Sequence, residues 1–188
     1  GRGGLERWIM GSVAQTVIAQ SSKPVLVVHE RYNLPPSIKA RPFQRLLIAT
    51  DGSTSGDWAV QHGARLAKSL GAEVTLLHVA DPPLYYLQPE RPWHEALGLL
   101  EQEAHGRGQM VLEKALQQTA AVGIVAQPLL MHGHPVESIL QVSQQHDLVV
   151  MGTHGRSGLD RLLLGSVAER VTRQSTKPVL VAIVRGAP

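Results

Sequence analysis

The sequence predicts an α/β fold built on a parallel sheet, and three observations lead to it. Short apolar runs rich in β-branched residues alternate along the chain with longer segments whose apolar residues recur at helical spacing. Glycine or proline separates most of these segments. The short runs are apolar throughout, which is typical of strands buried on both faces of a parallel sheet. Such strands require right-handed crossovers, with helices on both faces of the sheet.

The predicted elements follow one another in a regular order. Strands are expected at residues 45–50, 73–79, 124–131, 147–151 and 179–184. Helices are expected at residues 54–70, 93–121, 136–145 and 167–174. Gly71 is a typical helix stop, and Pro128 favours an edge position for the third strand. Gly106 and Gly108 weaken the long helix by about 1 kcal/mol each relative to alanine, which favours a bend or break there.

The first thirty residues repeat part of the C-terminal half of the chain. Segments 1–7, 11–14 and 23–27 match segments 155–161, 165–168 and 177–181 at a constant offset of 155 − 1 = 154. Repeats spaced by about one domain length indicate tandem domains. Residues 1–30 are therefore interpreted as the last helix and strand of a preceding copy, truncated at its N-terminus. So short a fragment cannot fold alone, and we expect it to dock either on the complete domain or on a neighbouring chain. Residues 25–28 would then pair with an exposed sheet edge.

The remaining chain divides into a linker and one complete domain. Residues 31–42 contain Pro35, Pro36 and Pro42 and are predicted to be an extended linker. Residues 43–188 then hold every element of the predicted sheet. A domain of this size buries roughly 70% of its unfolded surface, so a real core is expected.

Composition excludes several classes of function. Lysine and arginine number 18 and aspartate and glutamate 15, giving a net charge of 18 − 15 = +3. This mild excess suits a small anionic ligand, and no dense basic block indicates nucleic acid. The absence of cysteine excludes disulfides and thiolate metal sites. No apolar run approaches the ~20 residues of a membrane helix, so a cytoplasmic protein is predicted.

A glycine-rich turn at residues 152–158 is the strongest candidate for a binding site. It follows the apolar run 147–150 and leads into the helix predicted at 167–174. Glycines let backbone N–H groups approach an anion, and a helix N-terminus adds unpaired donors and partial positive charge. The same glycines would also serve a tight strand-to-helix connection that needs positive φ, so the turn alone leaves both interpretations open.

A second loop lies at the same end of the predicted sheet. Asp51 follows the first strand, and ligands of open α/β sheets bind at the carboxyl ends of the strands. The Asp51 carboxylate could accept from a ribose hydroxyl or an adenine amino group, or form an Asx turn. Ser166 has a similar ambiguity, because Ser166 and Glu169 match a capping box while the hydroxyl could also meet a phosphate.

The other polar residues indicate no catalytic or metal site. His132 and His134 are two residues apart and lack a third ligand in register. His154 and Arg156 lie within the glycine-rich turn, where each could contact a phosphate or face solvent. No nucleophile pattern or general base is evident, so no catalytic residue is predicted.

Three motifs together resemble the universal stress protein family. Gly152-x2-Gly155-x9-Gly165-Ser166 is similar to that family's ATP-binding motif. Thr50-Asp51-Gly52-Ser53 ends the first strand, and Leu77-His78-Val79 closes the second. The resemblance covers about residues 43–184, and the C-terminal part of the pattern again over residues 1–30.

The resemblance implies a fold, a ligand and a set of contacts. The fold is an open five-stranded parallel sheet of order 3-2-1-4-5, dimeric or tandem, joined as a homodimer or pseudo-dimer through the last strand. The ligand is ATP, with Mg²⁺, held between strands one and four. Asp51 and Val79 would meet the adenosine end. The ribose and phosphates would meet the residues of the glycine motif: Gly152, Gly155, Gly165, Ser166 and Val167.

The predicted function is therefore an ATP-binding, stress-response regulatory protein with at most slow hydrolysis. One alternative is an adenine-nucleotide hydrolase or transferase on the same fold. Another is a dimerising scaffold without a ligand. Residues 1–30 have no counterpart of Asp51 or Gly152, so only one complete site is expected in this chain.

Overall fold

The computed structural model describes residues 12–29, 43–80, 94–153 and 164–183. The described residues form six strands: β1 (Val25–Val27), β2 (Arg45–Ala49), β3 (Glu73–Ala80), β4 (Ala126–His132), β5 (Leu148–Gly152) and β6 (Val179–Ala182). They also form five helices: α1 (Ser12–Gln20), α2 (Thr54–Leu70), α3 (His94–Ala120), α4 (Pro135–Ser143) and α5 (Ser166–Gln174). The linker predicted at 31–42 lies outside the described residues.

All six strands belong to one mixed sheet with the order β1-β6-β5-β2-β3-β4. The expectation of five parallel strands in the order 3-2-1-4-5 is therefore wrong for the sheet as a whole. The difference comes from β1, which pairs antiparallel with β6 and covers the backbone groups of what would be an edge strand. Neighbouring strands from β6 through to β4 are parallel. β4 is the other edge, as Pro128 predicts.

The central strands are buried on both faces, as their continuous apolar character predicts. Leu46, Leu47 and Ile48 of β2 are fully buried, and they point alternately to opposite faces. Leu46 and Ile48 pack in a cluster with α2 and α3, whereas Leu47 packs in a second cluster with α4 and α5. The sheet thus has a helical layer on each face, and the cores on the two sides are separate.

Two helices test the local predictions. α2 begins after Ser53, whose hydroxyl accepts from the Gly56 N–H at 3.1 Å, and ends at Gly71 in the left-handed conformation (φ 65°), as predicted. The break expected in α3 does not occur, because the helix is continuous through Gly106 and Gly108. At Gly108 a Cβ would lie 2.6 Å from Leu130 Cδ1 and 3.0 Å from His78 Cδ2, so glycine allows α3 to pack closely on β3 and β4.

The repeat seen in the sequence is also a repeat in structure. α1 and α5 have the same length and lie 166 − 12 = 154 positions apart in the sequence, which is the offset of the repeat. The turns that follow the two helices also match. Ser21 Oγ donates to the Lys23 carbonyl at 2.8 Å, and Ser175 Oγ donates to the Lys177 carbonyl at 2.8 Å. β1 docks on the edge of the complete domain in the same chain, as one of the two expected arrangements requires.

The strand pairing between the two copies is symmetric. Leu26 pairs with Leu180, its own counterpart at offset 154, while Val25 pairs with Val181 and Val27 with Val179. His29 extends this contact, because its Nε2–H donates to the Thr172 carbonyl of α5 at 2.6 Å. The two copies therefore meet about a local twofold axis between Leu26 and Leu180.

Among the described residues, no helix combines the length and the apolar character that a membrane crossing needs.

Candidate functional site

The site lies where the order of the strands in the sheet reverses. β2 and β5 are parallel neighbours, with Leu47 beside Val149. The helix that follows β2 packs on one face of the sheet, and the helix that follows β5 packs on the other. The two connections diverge and open a crevice at the carboxyl ends of the strands, where open α/β sheets bind ligands.

A cavity of about 410 Å³ occupies this crevice. Its volume falls within the range of typical small-molecule sites, about 300–1,000 Å³. Six of the seven residues predicted for ligand contact line it: Asp51, Val79, Gly152, Gly165, Ser166 and Val167. The seventh, Gly155, lies outside the described residues, as do His154 and Arg156. Residues up to 168 − 49 = 119 positions apart in sequence, Ala49 and Ala168, thus line one cavity.

Asp51 is held in a tight loop at the end of β2. Its Oδ1 accepts from the Ser53 N–H at 3.0 Å and from the Ser53 hydroxyl at 2.6 Å. The first of these bonds is the Asx turn that the sequence left open. At Gly56 a Cβ would lie 2.8 Å from the same Oδ1, so the first turn of α2 also fits closely around the loop. Asp51 therefore both shapes the loop and lines the cavity.

Gly152 has a packing reason to be glycine. A Cβ at this position would lie 2.7 Å from both the carbonyl carbon and the carbonyl oxygen of Ser55. Those atoms belong to the backbone of α2 and cannot move aside as a flexible side chain could. Beside them the hydroxyls of Ser55 and Thr153 lie 3.3 Å apart in a buried pair. Gly152 thus brings the end of β5 against α2 and sets the width of the crevice.

The N-terminus of α5 opens on the cavity. Its N-cap residue is Gly165 rather than Ser166, and no side chain caps it in the part of the chain that the structure describes. The capping box expected for Ser166 and Glu169 is therefore wrong, because Ser166 already lies in the first turn and is exposed. Gly165 donates its N–H to the Thr153 carbonyl at 2.7 Å, which fixes the helix end beside β5. Uncapped N–H groups of a first helical turn suit an anion.

Sequence reasoning missed several lining residues, of which His78 and Arg107 carry titratable groups. His78 is buried, and its Nδ1–H donates to the Thr50 carbonyl at 2.8 Å, which fixes the last carbonyl of β2. The sequence placed His78 only within a strand-end motif. Arg107 reaches the cavity from α3. It lies beside Ala104 and Gly108, two small residues on one face of the helix, and a cation at such a position could have indicated a contact with the site.

The described residues contain no cluster of three or more histidine, aspartate or glutamate side chains suited to a metal ion. His132 pairs instead with His105 of α3, with Nε2 and Nδ1 3.2 Å apart and the two rings stacked at a centroid distance of 5.4 Å. His134 lies at the N-cap of α4.

The fold and the crevice together define a class of protein. It is an open α/β domain with a ligand-sized cavity where the strand order reverses, bounded by a carboxylate loop and by a helix N-terminus that no side chain of the described residues caps. The family described as "Universal stress protein family" matches residues 1–29 and 42–183, and the chain belongs to that family.

Two curated relatives show how this chain relates to longer and shorter members. It is 37% identical over 142 residues to universal stress protein MJ0531 of Methanocaldococcus jannaschii, covering 74% of this chain and 81% of that one. It is 32% identical over 187 residues to a universal stress protein of Mycolicibacterium smegmatis, covering 96% of this chain. The match spans 58% of that relative's length.

Solved structures share the fold. MJ0577, described as a hypothetical protein whose biochemical function was assigned from its structure, has a TM-score of 0.67 at 28% identity, covering 77% of this chain and 99% of that one. A universal stress protein solved in complex with cAMP has a TM-score of 0.54 at 24% identity, covering 75% of this chain and 97% of that one.

Proposed function

We propose that this chain is an ATP-binding regulatory protein of the stress-response type. The observation that carries the proposal is the shared cavity, which gathers six residues of the expected nucleotide motif from three separate stretches of sequence. The cAMP complex of a protein with the same fold supports an adenine nucleotide as the ligand class.

The chemistry of the cavity suggests how ATP lies in it. Phosphates suit the N-terminus of α5, where Gly165, Ser166 and Val167 present the first turn of the helix. A carboxylate repels phosphate, so Asp51 belongs at the adenosine end, together with Val79 of β3. The nucleotide then runs between β2 and β5 past Gly152. Mg²⁺ would arrive with the triphosphate, since Mg²⁺ usually binds through phosphates and one or two carboxylates.

The same residues favour binding over rapid catalysis. The titratable side chains lining the cavity, among the described residues, are Asp51, His78 and Arg107. Asp51 accepts from Ser53, and His78 donates to the Thr50 carbonyl, so both side chains support the loop after β2. A general base must instead reach the attacking water. We therefore expect at most slow hydrolysis, and product analysis after long incubation with ATP tests this.

Thermal melts with and without Mg-ATP test the binding itself. A ligand at 100 times its dissociation constant stabilises the native state by about 2.7 kcal/mol, so the melting temperature should rise measurably. Gly165→Val should remove the shift by crowding the phosphate end. Gly98→Val in α3, where a side chain meets open space, is the matched control and should keep it. Absence of a shift in the wild-type protein at millimolar ATP contradicts the proposal.

We further propose that residues 1–30 are the C-terminal helix and strand of a first universal-stress-type domain, so that the chain carries a pseudo-dimer contact. The symmetric pairing of Leu26 with Leu180 supports this, as does the shared turn geometry at Ser21 and Ser175. Because β1 already occupies the edge of β6, a homodimer through β6 is not expected. Hydrogen exchange tests the contact: amides of β1 and β6 should be protected together, and rapid exchange in β1 alone contradicts it.

A further inference from the structure

Arg107 is a cavity residue to which nothing above assigns a role. It lies on α3, three residues after Ala104, and both side chains line the cavity. Val111 follows one turn later and packs against the loop after β2, since a Cβ at Gly52 would lie 2.8 Å from Val111 Cγ2. Arg107 therefore sits one helical turn beyond the contact with that loop, toward the open end of the crevice.

This position is at the far side of the cavity from α5. α3 packs on β3 and β4, on the face that also holds α2, whereas α5 packs on the opposite face. The N-terminus of α5 lies beside β5, and one strand, β2, separates β5 from β3, so about 10 Å of sheet lies between them. A nucleotide with its phosphates at α5 therefore directs its base toward β3 and α3.

The guanidinium group suits a base at that place. It is planar and weakly hydrated, and it stacks on aromatic rings. Arg107 Nη1 lies 3.4 Å from Glu103 Oε2, one turn earlier on the helix. An ion pair made at the edge of a guanidinium leaves its flat faces for stacking. The Arg107 side chain is 49% exposed, so a ligand can reach it without rearrangement of the core.

We propose that Arg107 stacks on the base of the bound nucleotide and gives the cavity its preference for a purine. This inference rests on the proposed function and deepens it. A larger ring system offers more area to the guanidinium face, so adenine gains more than cytosine. The negative charge of Glu103 beside Arg107 also discourages a phosphate from binding there.

The test measures the affinities of ATP, CTP and inorganic tripolyphosphate for the wild-type protein and for Arg107→Ala and Arg107→Lys. We expect Arg107→Ala to weaken ATP binding by about 3- to 10-fold, as expected for loss of one cation–π contact. CTP should lose less, and tripolyphosphate should be unchanged. Arg107→Lys should restore ATP binding only in part, because an ammonium group keeps the positive charge but has no planar face to stack on the base. Arg65→Ala, an exposed arginine of α2 outside this cavity, is the control and should leave all three affinities unchanged.

The outcomes separate this inference from the function on which it rests. Wild-type protein that binds neither ATP nor CTP overturns both. Wild-type protein that binds ATP while Arg107→Ala binds it equally well overturns the inference alone. Loss of ATP and tripolyphosphate affinity by the same factor overturns it too, and makes Arg107 a phosphate contact. The difference in ATP affinity between wild type and Arg107→Ala can also be measured at about 50 and about 200 mM salt. A steep fall of this difference at the higher salt concentration would indicate that Arg107 contacts phosphate.

Discussion

The two copies of the repeat share sequence motifs and local structure but have different surroundings. α1 and β1 reproduce α5 and β6, down to the serine that closes the turn between helix and strand. Their burial differs. Val171 of α5 is fully buried, while its counterpart Val17 of α1 is 48% exposed. Only α5 follows a strand that ends in Gly152, and only α5 opens on the cavity. Local sequence therefore determines the helix, the turn and the strand, whereas the neighbouring elements determine burial and the binding site.

The largest expected effect comes from the residue that distinguishes α5 from α1. Gly152→Ala should destabilise the protein by about 1–3 kcal/mol, because the new methyl group meets the Ser55 backbone. Urea unfolding measures this as a lower midpoint. Gly106→Ala, which meets open space in α3, is the control and should be neutral or stabilising by up to about 1 kcal/mol. Equal stability of Gly152→Ala and wild type contradicts the close packing of β5 on α2.

The paired valines test burial directly. Val171→Ala should cost about 2 kcal/mol, since it removes buried methyl groups and leaves a small cavity. Val17→Ala should change stability by less than about 0.5 kcal/mol, because the side chain is about half exposed. Both substitutions are valine to alanine at matched positions of the repeat, so the difference between the two losses reports mainly the burial of each site. Equal losses would mean that α1 is covered as fully as α5.

The paired serines give a smaller contrast. Ser175→Ala removes the bonds to the Lys177 carbonyl and N–H in a fully buried position and should cost about 1 kcal/mol. Ser21→Ala removes the equivalent bonds at a partly exposed turn, where water replaces them, and should cost less. Chemical denaturation of both variants measures the difference, and the reverse order of the two losses would contradict it.

The smallest expected effect is a pH dependence near the seam between the copies. Burial, and then the nearby charge of Arg65, lower the pKa of His62 below 6.5. The folded state therefore disfavours the protonated ring, and the unfolded state binds more protons between the two pKa values. Stability should fall as the pH drops below 6.5 and keep falling until the folded-state pKa is passed.

Unfolding midpoints of the wild type and His62→Gln, measured between about pH 8 and about pH 5, isolate this contribution. The variant should lose less stability on acidification. His62 also packs edge-on against Trp58, with ring centroids 5.1 Å apart, so tryptophan fluorescence reports the same titration. Parallel pH profiles in the two proteins would exclude His62 as a source of the dependence.

Much of the architecture was predictable because its signals are local. Continuous apolarity predicted β2 and β5, and Gly71 marked the end of α2. The position of the sixth strand was not predictable in the same way, because no local pattern indicates which edge of the sheet β1 pairs with. The break expected in α3 failed because the close approach at Gly108 outweighs the weak helical propensity of glycine. The capping expected of Ser166 failed because α5 begins one residue earlier than the capping pattern requires.

The site was predictable to a different degree. The glycine motif and Asp51 led to six residues of the cavity, because such loops carry a recognisable spacing. Arg107 and His78 carry no such spacing. Arg107 reaches the cavity only because α3 lies across β3, and His78 because it bonds the Thr50 carbonyl. Contributions of this kind depend on packing between distant elements and become visible only in three dimensions.

The local twofold axis between Leu26 and Leu180 determines where the binding crevices of two such domains would lie relative to each other. The paired strands run in opposite directions, so the carboxyl ends of the two sheets point away from each other. A crevice in a preceding copy would therefore open at the opposite ends of the strands of the continuous sheet. The two crevices could share no ligand or side chain. Any influence of one occupied crevice on the other would have to pass through the contacts between the copies, among them the β1–β6 strand pairs and the hydrogen bond from His29 to the Thr172 carbonyl.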